Sequence, residues 1–188
     1  IGNWVDGLAS GDGSMAYTNG EQYDGQWAGG VKEGNGTLTA PNGEIYKGGF
    51  KNDEFHGEGT LRLPNGISYT GQWKNGLMDG KGKLILSQKS WYEGEFKNDL
   101  FHGRGIYVDP QGVRYEGGFA NGLREGFNKA VFPDGRIIEG TYQQDKREGQ
   151  VANHLGDGSV VVAKYHSGLK FKSTEKKMSE SEFKGLTN

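Results

Sequence analysis

Tyr23-Asp24-Gly25-Gln26-Trp27 returns 23 residues later as Tyr46-Lys47-Gly48-Gly49-Phe50. The same step gives Tyr69-Thr70-Gly71-Gln72-Trp73, Tyr92-Glu93-Gly94-Glu95-Phe96 and Tyr115-Glu116-Gly117-Gly118-Phe119. A sixth copy frays to Ile138-Glu139-Gly140-Thr141-Tyr142, and Gly2 and Trp4 are the remains of an earlier one. No insertion or deletion interrupts the step. A constant interval marks a repeat array, in which each unit buries its apolar side only against its neighbours.

The third repeat shows the plan. Asn65-Gly66 is a hairpin signal that suits two successive positive-φ positions. The strand over residues 69–74 alternates, with Tyr69, Gly71 and Trp73 on one face and Thr70, Gln72 and Lys74 on the other. Asn75-Gly76 turns the chain, and a loop through Leu77 and Met78 leads to Gly80-Lys81-Gly82. A second strand then carries Leu84 and Leu86. Turns like Asn65-Gly66 recur at Asn19-Gly20, Asn42-Gly43, Asp134-Gly135 and Asp157-Gly158, with Gln88-Lys89 standing in for one of them. The expected fold is therefore all-β: an elongated, twisted, single antiparallel sheet gaining one hairpin, or ~10 Å, per repeat. Glycines between two aromatics, such as Gly25, Gly48 and Gly71, leave room for rings to lie across the backbone.

Towards the end the pattern decays. Gly126-Phe127-Asn128 and Gly149-Gln150-Val151 lack the second loop glycine, and Ala163 stands in the glycine column of Val161-Val162-Ala163-Lys164-Tyr165. The array is expected over residues 1–168, followed by a polar tail over 169–188. Ser173 as an N-cap and Gly185 as a stop predict a short helix or a loose segment over 173–185. Ile1 falls inside a repeat, so a piece of a longer chain is expected.

Composition narrows the chemistry. The 35 glycines recur in fixed columns, so they signal architecture and not low complexity. With no cysteine, disulfides and thiolate chemistry are excluded. A net charge of −2 argues against a nucleic-acid surface. Of the four histidines, His56 and His102 occupy equivalent positions two repeats apart, roughly 19 Å, too far to share a metal ion. They read as turn histidines, and His154 and His166 have no evident acid or nucleophile partner. Gly57-Glu58-Gly59 precedes a strand, whereas a phosphate cradle needs a helix. No catalytic residue, metal or cofactor is expected.

The columns of rings and lysines remain. A sheet with one apolar face must cover it or offer it. Trp27, Phe50, Trp73, Phe96 and Phe119 form one column, and Phe55, Met78 and Phe101 another that either folds inward or lines a groove. On the polar face Lys51, Lys74 and Lys97 make a basic column, offset by Glu93, Glu95, Glu116 and Glu139. Lys170 and Lys172 lie in the more basic tail. The ring columns are candidates for a protein partner entering as a helix or an extended peptide. The lysines are candidates for anionic lipid and a peripheral membrane contact. Open sheet edges also allow an end-to-end homodimer.

The tyrosine, glycine, aromatic, Asn-Gly and Gly-x-Gly columns over residues 2–168, with His56-Gly57 and His102-Gly103, resemble the MORN repeat, named for membrane occupation and recognition nexus. That resemblance implies a sheet that curls into a groove. It also implies a scaffold of cytoskeletal or membrane-associated complexes, cytoplasmic in location, or the regulatory segment of a larger enzyme such as a lipid kinase or methyltransferase. Fold transfers along such a resemblance better than function does.

Overall fold

Alternation along each Tyr-x-Gly-x-aromatic segment becomes a strand with its rings on one side. The computed structural model describes residues 2–187, the side chain of Lys172 excepted. Two compact units divide the chain, residues 1–88 with 95–99 and residues 89–94 with 100–188. The first contains β1 (Gly2–Val5), β2 (Leu8–Ala16), β3 (Gln22–Ala28), β4 (Val31–Thr39), β5 (Ile45–Lys51), β6 (Glu54–Arg62), β7 (Ser68–Lys74) and β8 (Leu77–Ile85). β9 (Trp91–Lys97) contributes residues to both. The second continues with β10 (Leu100–Val108), β11 (Arg114–Ala120), β12 (Leu123–Val131), β13 (Ile137–Gln143), β14 (Lys146–His154), β15 (Ser159–His166), β16 (Leu169–Ser179) and the helix α1 (Glu180–Thr187). Strand order follows chain order from β1 to β16, so the sheet contains no crossover.

Two turn types alternate. At Asn75-Gly76 both residues have positive φ, 51° and 79°, and the two-residue turn closes the hairpin at once. The loop expected through Leu77 and Met78 is therefore strand: β8 begins at Leu77, and Phe55, Met78 and Phe101 lie on β6, β8 and β10. A bulge absorbs the extra residues, since Gly71 pairs with Gly82 but Trp73 with Met78, and Gly80 has a φ of 105°. At Asn65-Gly66 only Gly66 has positive φ, which corrects the tandem reading. There the Leu63 N–H donates to the Ile67 carbonyl at 2.8 Å, and Asn65 Oδ1 accepts from the Ile67 N–H at 3.1 Å.

The bulge register sets glycine against glycine across each hairpin: Gly25 faces Gly36, Gly48 faces Gly59 and Gly71 faces Gly82. Into that gap the tyrosine of the same repeat folds. Its hydroxyl donates to a carbonyl three residues on, Tyr23 to Gln26, Tyr46 to Gly49 and Tyr69 to Gln72, each at 2.9 Å. A methyl group on Gly36, Gly59 or Gly82 would overlap the ring.

Where the glycine is lost, the tyrosine changes too. Asn128 is buried, and its Nδ2 donates to the Gly118 carbonyl at 3.0 Å, the acceptor that corresponds to Gln26, Gly49 and Gln72. Tyr115 instead points its hydroxyl at Asp109 Oδ2, 3.2 Å away. In the next repeat the ring is gone altogether: Ile138 replaces tyrosine, and the fully buried Val151 fills the space. The decay is thus a set of paired replacements that keep the core filled.

Residues 169–179 correct the expected tail. They form β16, paired with β15 from His166↔Leu169 to Ser159↔Ser179, and the helix begins only at Glu180. Ser179, not Ser173, caps it: the Glu182 N–H donates to Ser179 Oγ at 3.3 Å, and Glu182 Oε2 accepts from the Ser179 N–H at 2.7 Å. His154 docks the helix. Its Nδ1 lies 2.9 Å from Glu180, its Nε2 lies 3.1 Å from Glu139, and its ring meets Phe183 edge-on at 5.1 Å.

Gly82→Ala is expected to destabilise the chain by about 2 kcal/mol through overpacking against Tyr69. Gly156→Ala, where nothing lies within 4 Å, should leave the denaturation midpoint unchanged. Equal urea midpoints for the two variants would count against the ring-over-glycine account.

Candidate functional site

On the ring face two tiers can be distinguished. The lower is sealed. Tyr23, Tyr46, Tyr69 and Tyr92 are at most 1% exposed, and Trp27, Phe50, Trp73, Phe96 and Phe119 are 3–8% exposed. Each tyrosine meets the aromatic of its own repeat and that of the next edge-on: Tyr23 lies 5.0 Å from both Trp27 and Phe50, and Tyr69 lies 5.0 Å from both Trp73 and Phe96. Such T-shaped pairs contribute about 0.5–1.5 kcal/mol each beyond their burial. The indoles of Trp27 and Trp73 also donate to the Gly13 and Gly59 carbonyls at 3.1 and 3.2 Å.

Above this floor runs a half-buried row, one residue per repeat: Lys32, Phe55 and Met78 in the first unit, Phe101, Arg124 and Arg147 in the second. Each sits directly across the hairpin from a floor aromatic, as Phe55 does from Phe50, Met78 from Trp73, Arg124 from Phe119 and Arg147 from Tyr142. Phe55 stacks on Tyr46 at 3.7 Å and Phe101 on Tyr92 at 3.8 Å, nearly parallel in both cases. Arg124 lies 4.4 Å over Tyr142, and Arg147 lies 5.3 Å over Tyr165. Lys170 occupies the same register position opposite Tyr165, but is exposed.

The turns next to this row alternate in kind. Asp53, Asp99 and Asp145 accept the backbone N–H of Lys32, Met78 and Arg124 at 2.8–2.9 Å. In the intervening repeats Gly76, Gly122 and Gly168 keep only the backbone bond that the three aspartates also make, donating their N–H to the carbonyls of Phe55, Phe101 and Arg147 at 2.9–3.0 Å. Each turn is tied in this way to the repeat before it.

A family model of the MORN repeat matches residues 1–22, 23–45, 46–68, 69–89, 92–114 and 115–135. The chain belongs to the MORN-repeat family. No curated protein matches it. Among solved structures it is similar to the TCP domain of SAS-4 (dCPAP) from Drosophila melanogaster, in complex with a proline-rich motif of Ana2 (dSTIL). That likeness is 12% in sequence identity, covers 95% of this chain and 96% of the other, and has a TM-score of 0.41; no function is carried over from it. The MORN match stops at residue 135, yet the hairpin plan continues to Ser179.

The MORN geometry sorts the residues singled out from sequence. Trp27, Phe50, Trp73, Phe96 and Phe119 form the floor, boxed in by tyrosines, and present no open contact surface in this state. Phe55, Met78 and Phe101 are the half-exposed members of the row. Lys51, Lys74 and Lys97 are exposed on the opposite face, Lys51 across from Glu54 and Lys74 across from Leu77. Lys170 belongs to the ring face and pairs with Glu175, while the side chain of Lys172 lies outside the described residues.

Sequence reading missed Lys32, Arg124 and Arg147, although a 23-residue step from Phe55, Met78 and Phe101 lands on them. The column changes from apolar to cationic at both ends, so residue type does not mark it as one. His154 and His166 do have acid partners, Glu139 with Glu180 and Glu148; those pairings join residues 15 to 26 apart, so a local reading does not find them. His56 and His102 sit on strands, not in turns, each with a buried Nδ1 that finds no hydrogen bond among the described residues.

Burial pushes the Tyr23 hydroxyl up to about 12 from its ordinary 10.0 and raises those of Tyr46 and Tyr69 for the same reason. The folded chain therefore holds these protons more tightly than the unfolded chain. Their contribution is complete below pH 10.0 and is lost as the pH climbs from there through the folded values. Base-induced unfolding is expected to coincide with the rise in tyrosinate absorbance. Tyrosines that ionise near pH 10 in a chain that stays folded would contradict the sealed floor.

Proposed function

We propose that this MORN array is a non-catalytic scaffold that receives a segment of a protein partner along the half-buried row of its ring face. One observation carries the reading. Within each unit taken by itself, Phe55 and Met78 in the first and Phe101 in the second remain partly exposed on a floor that is already sealed, so the fold does not need their outer surfaces covered. Rigid, stacked aromatics of this kind offer contact area at little cost in conformational entropy. A cytoskeletal or membrane-associated complex in the cytoplasm is the setting proposed, on family grounds. End-to-end homodimers are part of the same proposal, and light scattering that finds only monomers at tens of micromolar would remove them.

A second reading rests on the opposite face. Lys74 lies across from Leu77, which is 38% exposed, and a basic residue beside an exposed aliphatic one suits an anionic lipid surface. Because the two readings use opposite faces, one experiment separates them. Cross-linking of the chain in native extract should join partner peptides to Lys32 and Lys170 if the ring face is occupied. Cross-links confined to Lys51, Lys74 and Lys97, with salt-sensitive pelleting on anionic liposomes, would favour the lipid reading.

Point variants sharpen the test. Trp73→Ala should cost ~3–5 kcal/mol of stability, because its ring is core. Phe55→Ala, half-exposed, should cost roughly half that while sharply reducing partner capture. Undiminished capture by Phe55→Ala combined with Phe101→Ala would remove the row as the contact surface.

A further inference from the structure

Among the described residues Lys32, Arg124 and Lys170 on the ring face each have an acid, and Arg147 does not. Lys32 Nζ lies 3.8 Å from Asp53, and Arg124 Nε lies 2.8 Å from Asp145, each acid being the second residue of the following turn. Lys170 pairs with Glu175. For Arg147 the corresponding turn residue is Gly168, whose N–H donates to the Arg147 carbonyl at 3.0 Å and which has no side chain to offer. Among the described residues no carboxylate lies within ion-pair distance of the Arg147 guanidinium. The group is nonetheless held in place: Nη1 donates to the Tyr165 hydroxyl at 3.3 Å, and the cation lies over the Tyr165 ring. A half-buried, pre-positioned guanidinium held by tyrosines but without an acid partner is a ready site for one.

We propose that Arg147 reads a carboxylate side chain on an extended, acidic segment of a protein partner lying along the row, an inference that rests on the partner-binding reading above. The planar fork of arginine matches a carboxylate with two parallel hydrogen bonds. The Tyr142 and Tyr165 hydroxyls orient the fork, and a guanidinium with five N–H donors has others left for the ligand. Within the second unit the row runs Phe101, Arg124, Arg147. Two repeats, roughly 19 Å, correspond to about six residues of extended chain, so the partner segment carries an apolar residue for Phe101 and an acid about six residues away. Arg124, already neutralised by Asp145, adds little to the selection. A bilayer is the weaker fit, because the exposed lysine column faces the other way.

The test is fluorescence anisotropy with the full chain and two fluorescein-labelled peptides. One carries Phe and Glu about six residues apart in a Ser/Thr background, and its twin has Gln for Glu. The Glu peptide is expected to bind about tenfold more tightly, with salt sensitivity, and Arg147→Gln should abolish the difference. The decisive variant is Gly168→Asp, which gives Arg147 the acid that Lys32 and Arg124 already have. Asp53 and Asp145 adopt the required backbone at φ 68° and 66°, and the nearest atom to a new Cβ at 168 is 3.7 Å away, so the fold should survive. This variant should lose the Glu preference while leaving binding of the Gln peptide intact, and Lys74→Gln should change nothing.

Equal binding of the two peptides to the unaltered chain, both lost on Phe101→Ala, would overturn the carboxylate proposal and leave the ring-face reading standing. Failure of both peptides to bind, or an undiminished Glu preference in Gly168→Asp, would also overturn it. Phosphatidylserine vesicles that bind in an Arg147-dependent way when neither peptide does would assign the guanidinium to a lipid headgroup, and the ring-face reading would fall with it.

Discussion

A tyrosine ring folded over two facing glycines is the constraint on which this sheet depends. A single layer of strands has no second layer to bury its apolar face, and loops this short cannot supply one. Laying the ring flat across the hairpin makes the side chains of the sheet their own covering. Each buried aromatic is worth roughly 1.5–3 kcal/mol, whereas an exposed ion pair is worth at most about 1 kcal/mol. The rings therefore hold the array, and the ion pairs adjust it. The hydroxyl is not incidental either, because it accounts for a carbonyl that the bulge would otherwise leave without a donor.

The departures from the pattern follow the same constraint. Asn128 takes over the hydrogen bond of a tyrosine that has turned away, and Val151 occupies the space of a ring that Ile138 no longer provides. Neither change makes sense alone: asparagine in place of Gly105 would meet the Tyr92 ring. The two compact units thus use different interior chemistry, aromatic in the first and increasingly aliphatic towards the end of the second.

Most of the architecture was legible in the residues because it repeats. The 23-residue step, the Tyr-x-Gly-x-aromatic strands and the need for glycine beneath the rings all come from local alternation, and each is present in the fold. What sequence could not supply was register. Without the bulge at Gly80, Met78 looks like a loop residue, and only the pairing of Trp73 with Met78 places it on the ring face. Register likewise puts Lys170 on the ring face, opposite Tyr165, while Lys51 and Lys74 lie on the other. The strand β16 was overlooked because its residues, Leu169-Lys170-Phe171-Lys172 and beyond, have lost the repeat signature while keeping an edge to pair with. The site was the less legible part: the floor aromatics are conspicuous by type, whereas the row above them changes from lysine to phenylalanine to arginine and is united only by position.

Because aspartate turns at 53, 99 and 145 alternate with glycine turns at 76, 122 and 168, the smallest block that can be copied or excised without mismatch is a doublet of 46 residues. Excising one repeat between Arg124 and Gly168 would seat Arg124 against Gly168 and strip it of its counter-ion; excising two between Lys32 and Asp99 would seat Lys32 against Asp99 and keep every pairing of that kind. From residue 53 to residue 168, length in this array is quantised in twos, a parity rule for anyone who wishes to shorten it, extend it or splice it to another.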